Sequence, residues 1–181
     1  MTRLIVLVLL LCLSPLSKAE SPTFADIRWG ASKDEVRKQL TSKGFTPGAL
    51  DKDGDFTFEG ALVGYKAQGM ALYADNKIAK IIVRLITPDN KAIEAYQSMK
   101  DVLSKKYGTP SDDFKFFKKP YYDGDGYETQ AIRVGKATFS CYWGSALGLE
   151  IHETLTVQVN YESEAWTEEV AKRKARAASV F

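Results

Sequence analysis

His152 is the only histidine in the 181-residue sequence. In Leu149-Glu150-Ile151-His152 a strand alternation sets it opposite Leu149 and Ile151, on the solvent side. A general base or metal ligand needs partners held in place around it. No nucleophile motif stands nearby, and one histidine with two cysteines, Cys12 and Cys141, is too few for a Cys/His zinc site. The residues therefore assign no catalytic set, no metal ligands and no cofactor. Cys141, in Phe139-Ser140-Cys141-Tyr142-Trp143, shares a face with Phe139 and Trp143 and reads as a small buried hydrophobe.

Alternating carboxylates suit a hard cation with oxygen ligands. Two runs have that spacing: Asp51-Lys52-Asp53-Gly54-Asp55, and Asp123-Gly124-Asp125-Gly126 with Glu128 beyond. An EF-hand needs glycine at its sixth position and glutamate at its twelfth. The first run has Phe56 and Leu62 there, and the second has Glu128 and Val134. Both runs read as turns, since Asp-Gly between strand patterns favours tight reversal.

The segment Phe114-Lys115-Phe116-Phe117-Lys118-Lys119-Pro120-Tyr121-Tyr122-Asp123 interleaves aromatics with cations. Its strand pattern places Phe114 and Phe116 in the core and leaves Phe117, Tyr121 and Tyr122 exposed. Rigid aromatic side chains give large contact area at low entropic cost. Phe117, Tyr121 and Tyr122 are thus the candidate binding residues.

These residues sit in a chain that reads as exported. Arg3, the uncharged run Leu4–Leu13, and Ser17-Lys18-Ala19 before Glu20 have the three parts of a secretory leader, residues 1–19. The apolar run is about half the roughly 20 residues of a membrane span, so no transmembrane anchor is expected. The leader carries Arg3 and Lys18 of the 25 basic residues, leaving 23 against 23 acidic ones. That neutral balance, with export, removes nucleic acid from the expected partners. Cys141 alone remains beyond the leader, so no disulfide within the chain is possible.

Leu40-Thr41-Ser42-Lys43-Gly44-Phe45-Thr46-Pro47 and Leu103-Ser104-Lys105-Lys106-Tyr107-Gly108-Thr109-Pro110 match at an offset of 63 positions. Each ends a helical pattern in lysine, glycine and proline, which is helix-stop chemistry. The first helix starts at Ser32 with Glu35 at capping-box spacing. The second carries Ile93, Tyr96, Met99, Leu103 and Tyr107 as one apolar stripe. Strands are predicted at 55–58, 62–66, 70–74 and 78–85, with Asp75-Asn76-Lys77 as a turn. A second set is predicted at 114–117, 128–134, 137–143, 147–152 and 155–161. The pattern predicts an α+β fold of two tandem units, 20–86 and 87–162, each a helix packed on antiparallel sheet. Residues 163–181 form a basic, helical tail with Trp166 and Val170 on one side, read as a solvated helix with one docked tryptophan.

Ile27-Arg28-Trp29-Gly30-Ala31-Ser32-Lys33-Asp34-Glu35-Val36 resembles the WG-x-S-x-x-E-V opening of small exported bacterial proteins. Lys106-Tyr107-Gly108-Thr109-Pro110 and Val159-Asn160-Tyr161-Glu162-Ser163 resemble their second halves. The order of elements is similar to BamE-like outer-membrane assembly lipoproteins and to the tandem units of the secreted beta-lactamase inhibitor protein. Two departures matter: Leu9-Leu10-Leu11 before Cys12 does not suit lipidation, and Cys141 cannot form the inhibitor's disulfides. No functional residue is carried over. The resemblance implies a binding scaffold.

Together these readings predict a periplasmic or secreted, non-enzymatic binding protein of the bacterial envelope. Its partner would be another envelope protein or a small ligand. The alternatives are a carboxylate-based hydrolase acting on an envelope glycan, and a structural envelope component docked through the tail.

Overall fold

The computed structural model describes residues 21–179. The expected leader, with Cys12, and the last two residues of the tail lie outside the described residues. The fold is α+β, with one eight-stranded antiparallel sheet. The strands are β1 Thr46–Leu50, β2 Phe56–Leu62, β3 Tyr65–Ala74, β4 Lys77–Ile86, β5 Asp112–Phe117, β6 Ala137–Trp143, β7 Leu147–Ile151 and β8 Val157–Glu162. Their order across the sheet is β1-β2-β3-β4-β8-β7-β6-β5. Strands from residues 46–86 and from 112–162 therefore share one sheet, joined where β4 pairs with β8.

Helices α1 (Lys33–Ser42) and α2 (Ala92–Tyr107) lie on one face of this sheet. The start of α1 is fixed by Ser32 and Glu35. The Glu35 N–H donates to Ser32 Oγ, and Glu35 Oε2 accepts from the Ser32 N–H at 2.8 Å. Val36 and Leu40 then point into the core without exposure. The stripe of α2 buries Tyr96, Met99 and Leu103, and Gly108 ends it at φ 85°, a conformation that glycine adopts without cost. One apolar cluster runs from Phe24 to Tyr161 between helices and sheet, and the unexposed Cys141 lies in it.

Asp75 and Asn76 form the β3–β4 turn at φ 48° and 61°. Both central residues being left-handed matches the twist of a two-residue hairpin. The span 62–66, expected as one strand, is instead the β2–β3 reversal, with Val63 and Gly64 at φ 46° and 85°. Residues 128–134, also expected as a strand, form the short helix α3 (Glu128–Arg133). Ala131 and Ile132 are both buried there, which adjacent residues of a strand on one core face cannot be. The last strand starts at Val157 rather than Leu155, because Leu155 sits at φ 61° in the β7–β8 turn. Strand β1 had no expectation, since Pro47 and Gly48 weaken its pattern.

The tail is helical as read: α4 spans Glu164–Ala178 and docks Trp166 on Leu72, Ala74 and Ala79, on the face away from α1 and α2. The cations of this basic tail do not all face solvent. Arg173 turns inward and donates to Asp55 Oδ2 at 2.5 Å, to the Tyr73 carbonyl at 2.7 Å and to Glu169 at 2.8 Å. Arg176 also donates to Glu169, at 3.0 Å.

Candidate functional site

Alternation along the strands gives the sheet a second face, and α4 covers only its β3–β4 hairpin end. The remainder carries a continuous row of register partners. The row runs Thr46, Glu59, Gln68, Arg84, Gln158, Glu150, Ser140, Phe114, one residue from each strand. All but Phe114 are polar.

The centre of this row is hydrogen-bonded in one direction. Arg84 Nε donates to Gln158 Oε1 at 2.7 Å. Gln158 Nε2 donates to Asn160 Oδ1 at 3.0 Å, and Asn160 Nδ2 donates to Glu150 Oε1 at 3.2 Å. His152 Nε2 stands 3.3 Å from the same Glu150 oxygen. A guanidinium only donates and a carboxylate only accepts, so the two ends dictate how both amides are turned. The result is a fixed dipolar track across β4, β8 and β7, with a cation at one end and a carboxylate at the other. Two inter-strand spacings separate those ends, about 10 Å. Gln158 is 7% exposed with its Oε1 and Nε2 each hydrogen-bonded, which locks the middle of the track.

Two depressions meet at Arg84. The larger, about 690 Å³, is lined by Thr138, His152, Thr154, Thr156 and Gln158. The smaller, about 210 Å³, is lined by Glu59, Gln68, Met70 and Ile82. Among the described residues, Arg84 has no carboxylate within ion-pair distance. Its remaining guanidinium N–H groups are therefore available to an incoming acceptor. On the β5 side the surface turns aromatic. Phe114 and Phe116 are each 45% exposed, and Phe114 meets the Tyr142 ring edge-on at 6.3 Å. Gly148 lies under the Tyr142 ring, and a Cβ there would stand 3.0 Å from it.

The predicted binding residues fall differently. Phe117 is half-buried and stands edge-on to Phe139 at 5.8 Å. Tyr121 is half-buried against the same core, and Tyr122 alone of the three is exposed. The expectation that Phe114 and Phe116 are core and Phe117 surface is thus inverted. Pairing of Phe114 with Ser140 and Phe116 with Thr138 puts them on the open face, while Lys115 and Phe117 join the helix side. Lys115 is tolerated there because it extends to Asp123 at 2.7 Å.

The acidic runs close their own turns. Asp51 Oδ1 accepts the N–H groups of Asp53 and Asp55, both at 2.9 Å. Asp125 accepts from Tyr122 and Tyr127, and Glu128 from Gly124. Among the described residues no group of three His, Cys, Asp or Glu side chains is placed to hold a metal ion. Burial pushes the Cys141 thiol above its usual range, which keeps it protonated.

His152 does face solvent, opposite Leu149 and Ile151, as the alternation predicts. Reasoning from sequence missed Arg84, Glu150, Gln158 and Asn160 as a group. The alternating Gln158 and Asn160 on the last strand carried a signal. Their meeting with Arg84 depends on a strand pairing across 74 positions, which local patterns do not encode. No described helix is long and apolar enough to cross a membrane. No family model, curated protein or solved structure matches the chain.

Proposed function

We propose that this chain is an exported, non-enzymatic binding protein of the bacterial envelope and that it captures its partner on the open face of the sheet. The observation that carries this reading is the oriented track Arg84–Gln158–Asn160–Glu150 on an uncovered face, with two depressions meeting at its cationic end. A surface that fixes its donors and acceptors beforehand loses little entropy on binding. The partner that fits is another envelope protein presenting a carboxylate over Arg84 and a cation over Glu150, with an apolar group beside Phe114, Phe116 and Tyr142. Rim charges then set orientation, and the aromatics supply burial. The leader-like residues 1–19 support export.

We also infer that the sheet arose from two like units. Helix α1 precedes the meander β1–β4, α2 precedes β5–β8 with α3 inserted, and the units meet at β4 and β8. The repeat at an offset of 63 closes the helix of each unit.

Site-directed photo-crosslinking in the intact envelope tests the binding face. A crosslinker at Tyr142 should trap a partner, and one at Lys38 on the outer side of α1 should not. Arg84→Glu should abolish the Tyr142 adduct while the variant still melts cooperatively as a folded protein. Equal labelling from both positions, or an adduct indifferent to Arg84→Glu, overturns the proposal.

A further inference from the structure

The two edges of the sheet are built differently. At β1, Pro47 removes a donor, and the register with β2 is irregular between Pro47 and Leu50. These are devices that discourage pairing with another chain. At β5 the pairing with β6 is regular from Asp112 to Phe117, and among the described residues no strand pairs with its outer side. Lys118 N–H donates to the Lys136 carbonyl at 2.7 Å. Stepping back by twos, Phe116, Phe114 and Asp112 turn their backbone groups toward β6, and Asp113, Lys115 and Phe117 turn theirs outward. An edge with solvent-facing phenylalanines and outward backbone groups is a template for another strand.

The side chains of this edge are complementary to themselves. Read antiparallel, Asp113-Phe114-Lys115 faces Lys115-Phe114-Asp113 of a second copy. We infer that β5 pairs with β5 of a second copy of this chain about a two-fold axis through Phe114, extending the sheet across two molecules. Asp113 and Lys115 exchange main-chain hydrogen bonds in this register, and the two Phe114 rings meet at the close, non-hydrogen-bonded position. On the helix side charges alternate across the junction. Lys100 pairs with Asp113 at 2.5 Å and Lys115 with Asp123 at 2.7 Å, so the sequence Lys100, Asp113, Lys115, Asp123 continues from one copy into the next. Asp113 and Lys115 are each about half exposed, which leaves them room for the second partner. Opposite charges and aromatic pairs facing each other across strands both stabilise a sheet. The contact is isologous, so it closes at two copies. A single strand pair is small, below about 1,200 Å², which places the dimer among weak, reversible ones.

Sedimentation equilibrium over a concentration series tests this. The protein should show a reversible monomer–dimer equilibrium that weakens with salt. Asp113→Lys should weaken it by about tenfold or more, near 1.4 kcal/mol, and the double variant D113K/K115D should restore it. Thermal melts of each variant confirm that the monomer still folds. The register has its own readout: Phe114→Cys should close an intermolecular disulfide on mild oxidation, and Phe116→Cys, which faces Asp112, should not. A wild-type protein that stays monomeric throughout, a dimer indifferent to Asp113→Lys, or cross-linking at 116 but not 114 overturns the inference.

Discussion

Two positions show how single residues set the sheet. Gly69 sits over the Phe58 ring, so a methyl group there would overlap it. Phe58 in turn packs on Phe24 and Phe45 at 5.7 and 5.6 Å, which leaves the ring nowhere to move. Gly69→Ala is therefore expected to cost about 1–3 kcal/mol by overpacking, read from urea unfolding. Val63 is the opposite case. A β-branched residue is held at φ 46°, where its Cβ crowds the backbone. Val63→Asn should raise stability by about 0.5–1 kcal/mol, because asparagine tolerates this turn position. A fall in the melting temperature would mean that the packing of Val63 against the core outweighs its strain. At Cys141, burial and a raised thiol predict no alkylation at pH 8 in the native protein and full labelling in denaturant. Native labelling at the rate of a free thiol would contradict the buried placement.

Helix α4 is held through the docked Trp166 and the inward-turned Arg173. Arg173 joins Asp55, Glu169 and the Tyr73 carbonyl, and its guanidinium lies 5.1 Å from the Trp166 ring. Asp55 is nearly unexposed, so removing its cation leaves a buried, uncompensated charge. Arg173→Ala should cost about 3 kcal/mol. Arg173→Lys should recover little of that, since a point charge cannot span the three acceptors. Chemical denaturation of both variants checks this, and near-equal stability of wild type and Arg173→Ala would refute it. This contact also marks where the sequence was legible and where it was not. Helices α1 and α2 and the β3–β4 turn were readable because caps, stripes and turn residues act within a few positions. Helix α3 was not, because six residues are too few to display a period. The faces of β5 were not readable either: three phenylalanines in four positions fit either parity, and Lys115 on the helix side depends on a distant Asp123. The polar track and the Asp55–Arg173 pair join residues 74 and 118 positions apart. Their residue types were visible and their meeting was not.

For the molecule as a whole, Asp26 ties the ends of the two covering helices together. Its carboxylate reaches Lys43, just past α1, at 2.7 Å and Lys106, in the last turn of α2, at 3.3 Å. Hydrogen bonds to Lys43 hold its carboxyl below the usual range, with Lys106 adding to the effect. A depressed folded value means that the contribution is complete above the unfolded carboxylate range. It is lost as pH falls through the lower, folded value. Asp26→Asn should therefore lower stability at neutral pH and flatten its decline on acidification. Parallel melting profiles of wild type and variant across the acid range would remove the linkage. The central pairing of β4 with β8 has a consequence in time. The chain emerges from its N-terminus, so β4 is complete long before β8, the last strand made, exists. Until Val157–Glu162 inserts between β4 and β7, the nascent sheet has two unfilled interior edges; the β7–β8 hairpin closes one locally, and the edge of β4 waits on a pairing distant in sequence. Completion of the fold therefore waits on the final strand, and a chain cut short before it is released with both edges open to aggregation.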